Sequence, residues 1–492
     1  MKKIKIYVLI LTFFFPFDLY PQEHRDYNWQ LGNKSDHSFS EGIEMRFTTE
    51  GLLIDTFFRS LGFEYFNASI SNTVGNLILY SNGCQIRDGN HQFIPGTNQL
   101  NPGPTDIEWC SYGYPVADGG FFIPFFGDSI VMLLHQREEV VEPPVQVIND
   151  TLFYTSVRKE NNQYVLNEKS IRIVGDMLTD GNVKGVKATK PGAWWVLQGE
   201  KGTNKYNTVL LDSAKVDTIY SQFMGDSTID GAAAGQASFS PDGTKYAKYA
   251  PRDDLFLFDF DRTTGTLSNF RRIHVADSGL IGGLSFSPNS RFLYVSAQVD
   301  LYQFDTWAED IQDSRIHIGH YDGHLDPFPT TFYHMQLGPD CRIYMNSNNG
   351  GYSWHVIHEP DQKGLDCQFE QHGIQFPVST SITMPNFPNY RLDIGPVCNP
   401  NFINAVGEIP IDDLPLYPNP TNGPLWIMLP EATNLKSNAF IEILDITGSV
   451  RIKKQINDSE LFTVGLEELD NGIYIVLFKS TDKLYSRKVV KM

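Results

Sequence analysis

Ala237-Ser238-Phe239-Ser240-Pro241-Asp242-Gly243 recurs as Leu284-Ser285-Phe286-Ser287-Pro288-Asn289-Ser290, with the two prolines 47 residues apart. A third copy, Met335-Gln336-Leu337-Gly338-Pro339-Asp340-Cys341, sets its proline 51 residues further on, and a weaker one, Lys190-Pro191-Gly192, lies 50 residues before Pro241. In the three main copies an apolar stretch ends at a tight turn. Proline presets φ for such a turn, and Asp-Gly supplies hairpin geometry. After the three main copies a strand is expected (245–249, 292–297, 343–346), then a second (255–260, 301–304, 355–358); for the weak copy the pair is 194–197 and 208–212. A repeat of roughly forty to fifty residues with about four strands is the signature of a β-propeller blade. One blade alone leaves both faces bare, so blades must stack into a ring.

Working outward, blades are expected at about 66–110, 112–175, 185–225, 235–275, 282–323 and 332–374. A seventh is expected where strands near Trp29 and 45–49 meet the segment 386–394. Joining the two ends of the ring removes an open sheet edge. The composition suits this reading, with 34 Phe, 23 Tyr, 40 Gly and 28 Pro in 492 residues. Aromatics favour pleated surfaces, and Gly and Pro favour turns. The expected fold is all-β: a propeller of about seven blades over residues 22–398, then a small immunoglobulin-like β-sandwich.

Further motifs carry a resemblance. Asn67-Ala68-Ser69-Ile70-Ser71, Gly75-Asn76-Leu77-Ile78-Leu79-Tyr80-Ser81-Asn82-Gly83-Cys84 and the weaker Asn28-Trp29-Gln30-Leu31-Gly32 resemble secreted WD40-like propellers of bacteria that use type IX secretion. So do Tyr321-Asp322-Gly323, Asp326-Pro327-Phe328 and Met384-Pro385-Asn386-Phe387-Pro388-Asn389-Tyr390-Arg391-Leu392. The resemblance implies a fold and brings no activity with it.

The two ends read as export signals. Met1-Lys2-Lys3-Ile4-Lys5 precedes a short apolar run, interrupted by Pro16 and Asp18. This is a secretory signal peptide, expected to span 1–21. No other stretch is apolar enough to cross a bilayer, so the mature chain is expected to have no transmembrane segment. Residues 399–414 read as a linker. The final stretch, 415–492, holds Tyr417-Pro418-Asn419-Pro420 with Gly423, then Gly448, then Gly472 and Tyr474, then Lys488. In order and position these resemble the type A C-terminal sorting domain of type IX cargo. The resemblance implies passage through the general secretory route, then across the outer membrane by the type IX machinery, to the cell surface or the medium.

Charge separates the parts. Residues 415–492 hold nine basic and nine acidic side chains, while 21–414 hold 27 basic and 48 acidic, a net of −21. Such a field argues against nucleic acid or anionic lipid as a partner. The five cysteines are Cys84, Cys110, Cys341, Cys367 and Cys398. Export permits disulfides. Cys84 with Cys110 plus one pair from the other three is expected, leaving one thiol.

Candidate chemistry is sparse. His317, His320, Asp322, His324 and Asp326 form the densest polar cluster and are candidates for a metal site, or else for a blade-connecting loop shaped by turn residues. Asp242, Asp253, Asp254, Asp259 and Asp261 offer oxygens to calcium but lack an EF-hand pattern. No nucleophile elbow, P-loop or dinucleotide fingerprint occurs. Trp194, Trp195, Trp307, Tyr352 and Trp354 are candidates to line a sugar-binding mouth, or to pack between blades. Two functions follow as expectations. One is a binding or structural module for a glycan, peptide or envelope partner. The other is an extracellular glycan hydrolase or lyase with acids at the channel.

Overall fold

The repeated turn is built alike in two of its copies and differently in the third. The Gly243 N–H donates to the Ser240 carbonyl (2.8 Å), the Ser240 hydroxyl donates to Asp242 Oδ1 (2.5 Å), and the Lys245 N–H donates back to that hydroxyl (2.9 Å). Ser287 and Asn289 repeat the pattern, with the Ser287 hydroxyl 2.7 Å from Asn289 Oδ1 and 2.9 Å from the Phe292 N–H. Gly338 has no hydroxyl, and Asp340 takes over, accepting from the Arg342 N–H (3.3 Å) and the Tyr344 hydroxyl (2.6 Å). The next residue is left-handed in all three, with φ 71° at Gly243, 64° at Ser290 and 69° at Cys341. Only the first copy uses the residue that adopts this conformation without strain.

The structure is a computed structural model that describes residues 23–34, 41–48, 51–141, 146–228, 235–275, 279–399, 412–413, 416–428, 439–445, 450–456, 461–479 and 484–492. The expected signal peptide 1–21, most of the linker 399–414, and Gly448 lie outside the described residues. The chain divides into two compact units, up to Phe402 and from Ile403.

Among the described residues the first unit holds seven antiparallel sheets of consecutive strands. Blade 1 is Asn28–Gly32, Gly42–Thr48 and Gly51–Phe57; blade 2 is Ala68–Ser71, Leu77–Ser81 and Ile86–Asp88. Blade 3 is Gly120–Phe125, Ile130–Val141, Gln146–Glu160 and Gln163–Leu178; blade 4 is Lys184–Lys187, Trp194–Gly199, Lys205–Asp212 and Lys215–Phe223. Blade 5 is Gln236–Phe239, Lys245–Ala250, Asp254–Asp261 and Thr266–Ile273; blade 6 is Gly282–Phe286, Phe292–Ala297, Asp300–Asp305 and Ile316–His320. Blade 7 is Met335–Leu337, Ile343–Met345, Ser353–Ile357 and Phe369–Gln375. First strands of neighbouring blades pack together, so they line the centre of a β-propeller.

Blade 1 departs from the rest. Asn67 Nδ2 donates to the Gln30 carbonyl (2.7 Å), Ser69 Oγ to that of Asn28 (3.0 Å), and the Ser71 N–H to that of Arg25 (2.8 Å). Strand 28–32 therefore runs antiparallel to the first strand of blade 2, in the direction of a second strand. The innermost place is taken by extended chain from the other end. The Gly32 N–H donates to the Thr380 carbonyl (3.3 Å), and Trp29 packs on Phe387 with centroids 5.9 Å apart. The expected meeting of the two ends is present, but residues 386–394 form no strand. Four of the next six residues after Pro385 (Asn386, Asn389, Tyr390 and Arg391) bond instead through their side chains, as a ladder cannot form with blades on several sides.

Two disulfides join Cys84 to Cys110 and Cys341 to Cys398, and Cys367 is free and buried. The second bond fixes the end of the closing segment to the turn of blade 7.

In the second unit, strands Asp412–Asp413, Ala439–Asp445, Val450–Ile456, Gly472–Lys479 and Leu484–Lys491 form one sheet, and Leu416–Tyr417, Leu425–Met428 and Leu461–Val464 a second. Leu425 and Ile427 from the small sheet and Ile441, Ile443, Val476 and Phe478 from the large one share a single buried core. Alternation along each strand turns these side chains inward and makes a sandwich.

Candidate functional site

Asn386 decides what the centre of the ring can do. Its side chain donates to the carbonyls of Gly120 (3.1 Å) and Val183 (3.2 Å), its N–H donates to that of Asn67 (3.4 Å), and its Oδ1 accepts from Lys184 Nζ (2.8 Å). One residue thus touches blades 2, 3 and 4. Lys184 Nζ also lies 2.8 Å from Asp118 Oδ2. Burial pushes the Lys184 pKa down, and the Asp118 charge offsets only part of that. Further along, the Tyr390 hydroxyl donates to the Phe122 carbonyl (2.7 Å) and Asn389 Nδ2 to that of Pro241 (2.7 Å). Gln236 spans the remaining side, accepting from the Leu284 and Met335 N–H groups (3.0 and 2.9 Å) and donating to the Met335 carbonyl (2.9 Å). The space left among blades 4 to 7 and this segment is about 70 Å³. Ligand pockets run to about 300–1,000 Å³.

A larger cavity, about 430 Å³, opens between blades 3 and 4 where their first strands end. Phe125, Phe126 and Trp194 supply aromatic surface, and Arg25, Lys187 and Asp393 supply charge. Phe126 is 63% exposed. Lys187 donates to the Tyr390 carbonyl and sits 5.7 Å above the Trp194 ring. Burial drives its pKa down to about 8, against the pull of Glu23 and Asp393. Arg25 pairs with Glu23 and Asp128, and Arg262 with Asp393. Of the aromatic candidates, Trp194 therefore lines a cavity. Trp354 is fully buried against Trp29 and Phe376, Trp195 is buried between blades 4 and 5, and Trp307 is exposed beneath Arg291.

The histidine-rich stretch splits into two groups on the opposite face. His317 Nε2 and His320 Nδ1 both lie 2.8 Å from Asp300 Oδ1. Residues three apart on a regular strand point to opposite sides. Here the pairing slips between Leu301/Gly319 and Tyr302/His317, and the bulge turns both imidazoles to one face. Asp322 and His324 belong elsewhere. His372 Nε2 lies 3.1 Å from Asp322 Oδ2, and the His372 ring is 4.4 Å from that of His324 and 5.0 Å from that of His355. Burial works against the Asp300 and Asp322 carboxylates, yet their hydrogen bonds, from His320 and His317 in one case and from the His324 N–H and His372 in the other, hold both pKa values below the ordinary range. Asp300 and His372 lie apart in sequence from the cluster; strand pairing brings in the first, and the packing of blade 7 against the loop after blade 6 brings in the second.

The acids offered to calcium are engaged in other ways. Asp242 caps its turn, Asp254 holds Arg272 and His274, Asp259 holds Lys245, Asn269 and Arg271, and Asp261 accepts from the Thr263 N–H and the Thr264 hydroxyl.

In the second unit Asn419 acts as a piece of β-ladder. Its Nδ2 donates to the Lys488 carbonyl (2.8 Å) and its Oδ1 accepts from the Val490 N–H (2.9 Å). The Thr421 N–H donates to the Val490 carbonyl and the Met492 N–H to that of Thr421, both 2.9 Å. Tyr417 stacks on Trp426, and the Tyr474 hydroxyl donates to the Asp470 carbonyl (2.9 Å). Pro418, Pro420, Gly423 and Gly472 shape the turns around these contacts. The motif thus clasps the last strand of the chain.

Residues 415–492 match the family of secretion system C-terminal sorting domains, and the chain is a cargo of type IX secretion, delivered to the cell surface or the extracellular space. Among the described residues no helix is long and apolar enough to cross a membrane. No curated protein matches the chain. Solved structures similar to it include a candidate 6-phosphogluconolactonase of Bacteroides uniformis, 11% identical, covering 72% of this chain and 97% of its own, with a TM-score of 0.43. A Lactobacillus plantarum protein is 10% identical, covering 89% of this chain and 99% of its own, with a TM-score of 0.35. The Dos1 propeller is 9% identical, covering 62% and 72%, with a TM-score of 0.35.

Proposed function

We propose that the propeller is an extracellular binding module that takes a small polar ligand, such as the end of a glycan chain, in the cavity between blades 3 and 4. The observation that carries this reading is the contrast in space. The centre, where a propeller enzyme would gather acids from several blades, is filled by residues 380–391 and keeps about 70 Å³. The cavity beside it has about 430 Å³, within the range of ligand pockets at about 300–1,000 Å³. Aromatic rings beside charged groups suit sugars, which present apolar C–H faces and hydroxyl rims.

The test is a screen of the purified mature chain against a polysaccharide and oligosaccharide panel, reading binding and product release together. Binding without turnover is expected. Phe126→Ala, at an exposed position, is expected to weaken it about tenfold, equivalent to about 1.4 kcal/mol, with the melting temperature unchanged. Released oligosaccharides would establish a hydrolase or lyase instead. Binding indifferent to Phe126→Ala and Asp393→Ala would move the site elsewhere.

A further inference from the structure

Asp300, His317 and His320 present three donor atoms, one from each side chain, all within 4.8 Å of one another. Asp300 opens the third strand of blade 6 and His320 ends the fourth, paired directly opposite it. His317 reaches the same place through the bulge. Without that extra residue one imidazole would point to the other side of the sheet. The position is held from outside as well. The His320 carbonyl accepts from Gln371 Nε2 (2.9 Å) on blade 7, and the Tyr321 N–H donates to the Val299 carbonyl (2.8 Å), which fixes the turn before Asp300. The His317 ring rests 5.4 Å from that of Tyr302.

We propose that these three side chains bind a divalent cation of the zinc class on the face of the propeller opposite the ligand cavity. Two imidazole nitrogens and one carboxylate oxygen are the donor set that borderline ions prefer, whereas calcium and magnesium take oxygen. In the structure both ring nitrogens converge on one oxygen. A cation at that point replaces the two hydrogen bonds by three bonds of about 2.0–2.2 Å. Three protein donors leave a fourth tetrahedral position for water or for a donor from another molecule. His317 and His320 are 51% and 63% exposed, so that fourth position faces solvent. The site is therefore open and suited to an exchangeable ion or to a metal shared with a partner. The proposal is independent of the ligand cavity.

The experiment is calorimetric titration of the untagged mature chain with zinc chloride, followed by cobalt(II) substitution read by visible absorption. One ion per chain is expected, with d–d bands of a four-coordinate nitrogen–oxygen site. His317→Ala and His320→Ala are each expected to weaken zinc binding at least about tenfold, and the more conservative His320→Asn likewise. Far-UV circular dichroism checks that each variant is folded. His324→Ala with His372→Ala is the control pair and is expected to leave the affinity unchanged. Three results would overturn the proposal: no zinc uptake at millimolar concentration, affinity unchanged in the His317→Ala/His320→Ala double variant, or loss of binding only in the control pair.

Discussion

The propeller and the C-terminal sandwich are both built mainly of antiparallel strands, yet they hold together by different means. The sandwich closes two sheets over one apolar core, and the stretch 415–492 contains no histidine, no cysteine and no net charge. All twelve histidines and all five cysteines lie in the part before it. There the ring must be closed between residues far apart in sequence, and apolar packing alone does not specify where the ends meet. Arg391 does so by a two-pronged bond to Asp26, at 2.5 and 2.7 Å, with both side chains buried. Asn386, Lys184 and the Cys341–Cys398 bond serve the same end. A sheet that stacks on its neighbour needs only alternation; a ring that ends where it began needs addressed contacts.

The sharpest way to separate the two units is removal of 415–492. Export is expected to be lost outright, with the propeller retained in the periplasm and still folded, as read by fractionation and by its melting transition. Arrival of the truncated chain at the surface or in the medium would break the division of labour. Next in size is Arg391→Ala. It leaves the Asp26 carboxylate buried without its partner, and breaking a buried pair in this way costs about 3–5 kcal/mol. Chemical denaturation should show that loss in the propeller transition only, and a loss below about 1 kcal/mol would mean that the ring closes by apolar contacts alone.

Acid should then divide the units further. Burial holds His135 and His355 neutral, with pKa values pushed down to about 3. The unfolded chain takes up those protons near pH 6.5, so their contribution is full above about pH 6.5 and is lost as pH falls toward about 3. At about pH 5 each is expected to cost the propeller about 2 kcal/mol, while the sandwich has no such group. Melting curves at several pH values measure the slope, and His135→Gln should make it shallower. The smallest effect is expected on the sandwich surface. Lys453 pairs with Glu442 while 56% exposed, and Lys453→Ala should shift stability by no more than about 0.5 kcal/mol. A larger change in the sandwich transition would show that surface charge does for that unit what buried charge does for the ring.

The places where reading the residues succeeded share a feature. The S-x-S-P-D-G turn is a local device whose donors and acceptors lie within five residues, so its meaning is printed in the chain. The same holds for the hairpins it introduces; Tyr417-Pro418-Asn419-Pro420 is legible as a motif, although the strand it clasps, with Lys488 and Val490, lies far along the chain. The readings that needed revision involve distance. Residues 386–394 look like strand, yet they bond to blades 3 to 5 through side chains and form none. His317, His320, Asp322 and His324 look like one cluster, yet a bulge gives the first two to Asp300, and the packing of blade 7 against the loop after blade 6 gives the last two to His372. Trp194 and Trp195 are neighbours, and alternation sends only the first to the cavity.

The sequence by itself determined the all-β class, the repeat that makes blades and the charge division, because each rests on composition or on contacts between near neighbours, and the export tag was legible through the order and position of its motifs. Only the tertiary structure decided that the centre is filled, that a larger cavity lies between blades 3 and 4, and that Asp300 faces two histidines. Those facts depend on which strands lie side by side, and in a ring that is set by the closure of the whole.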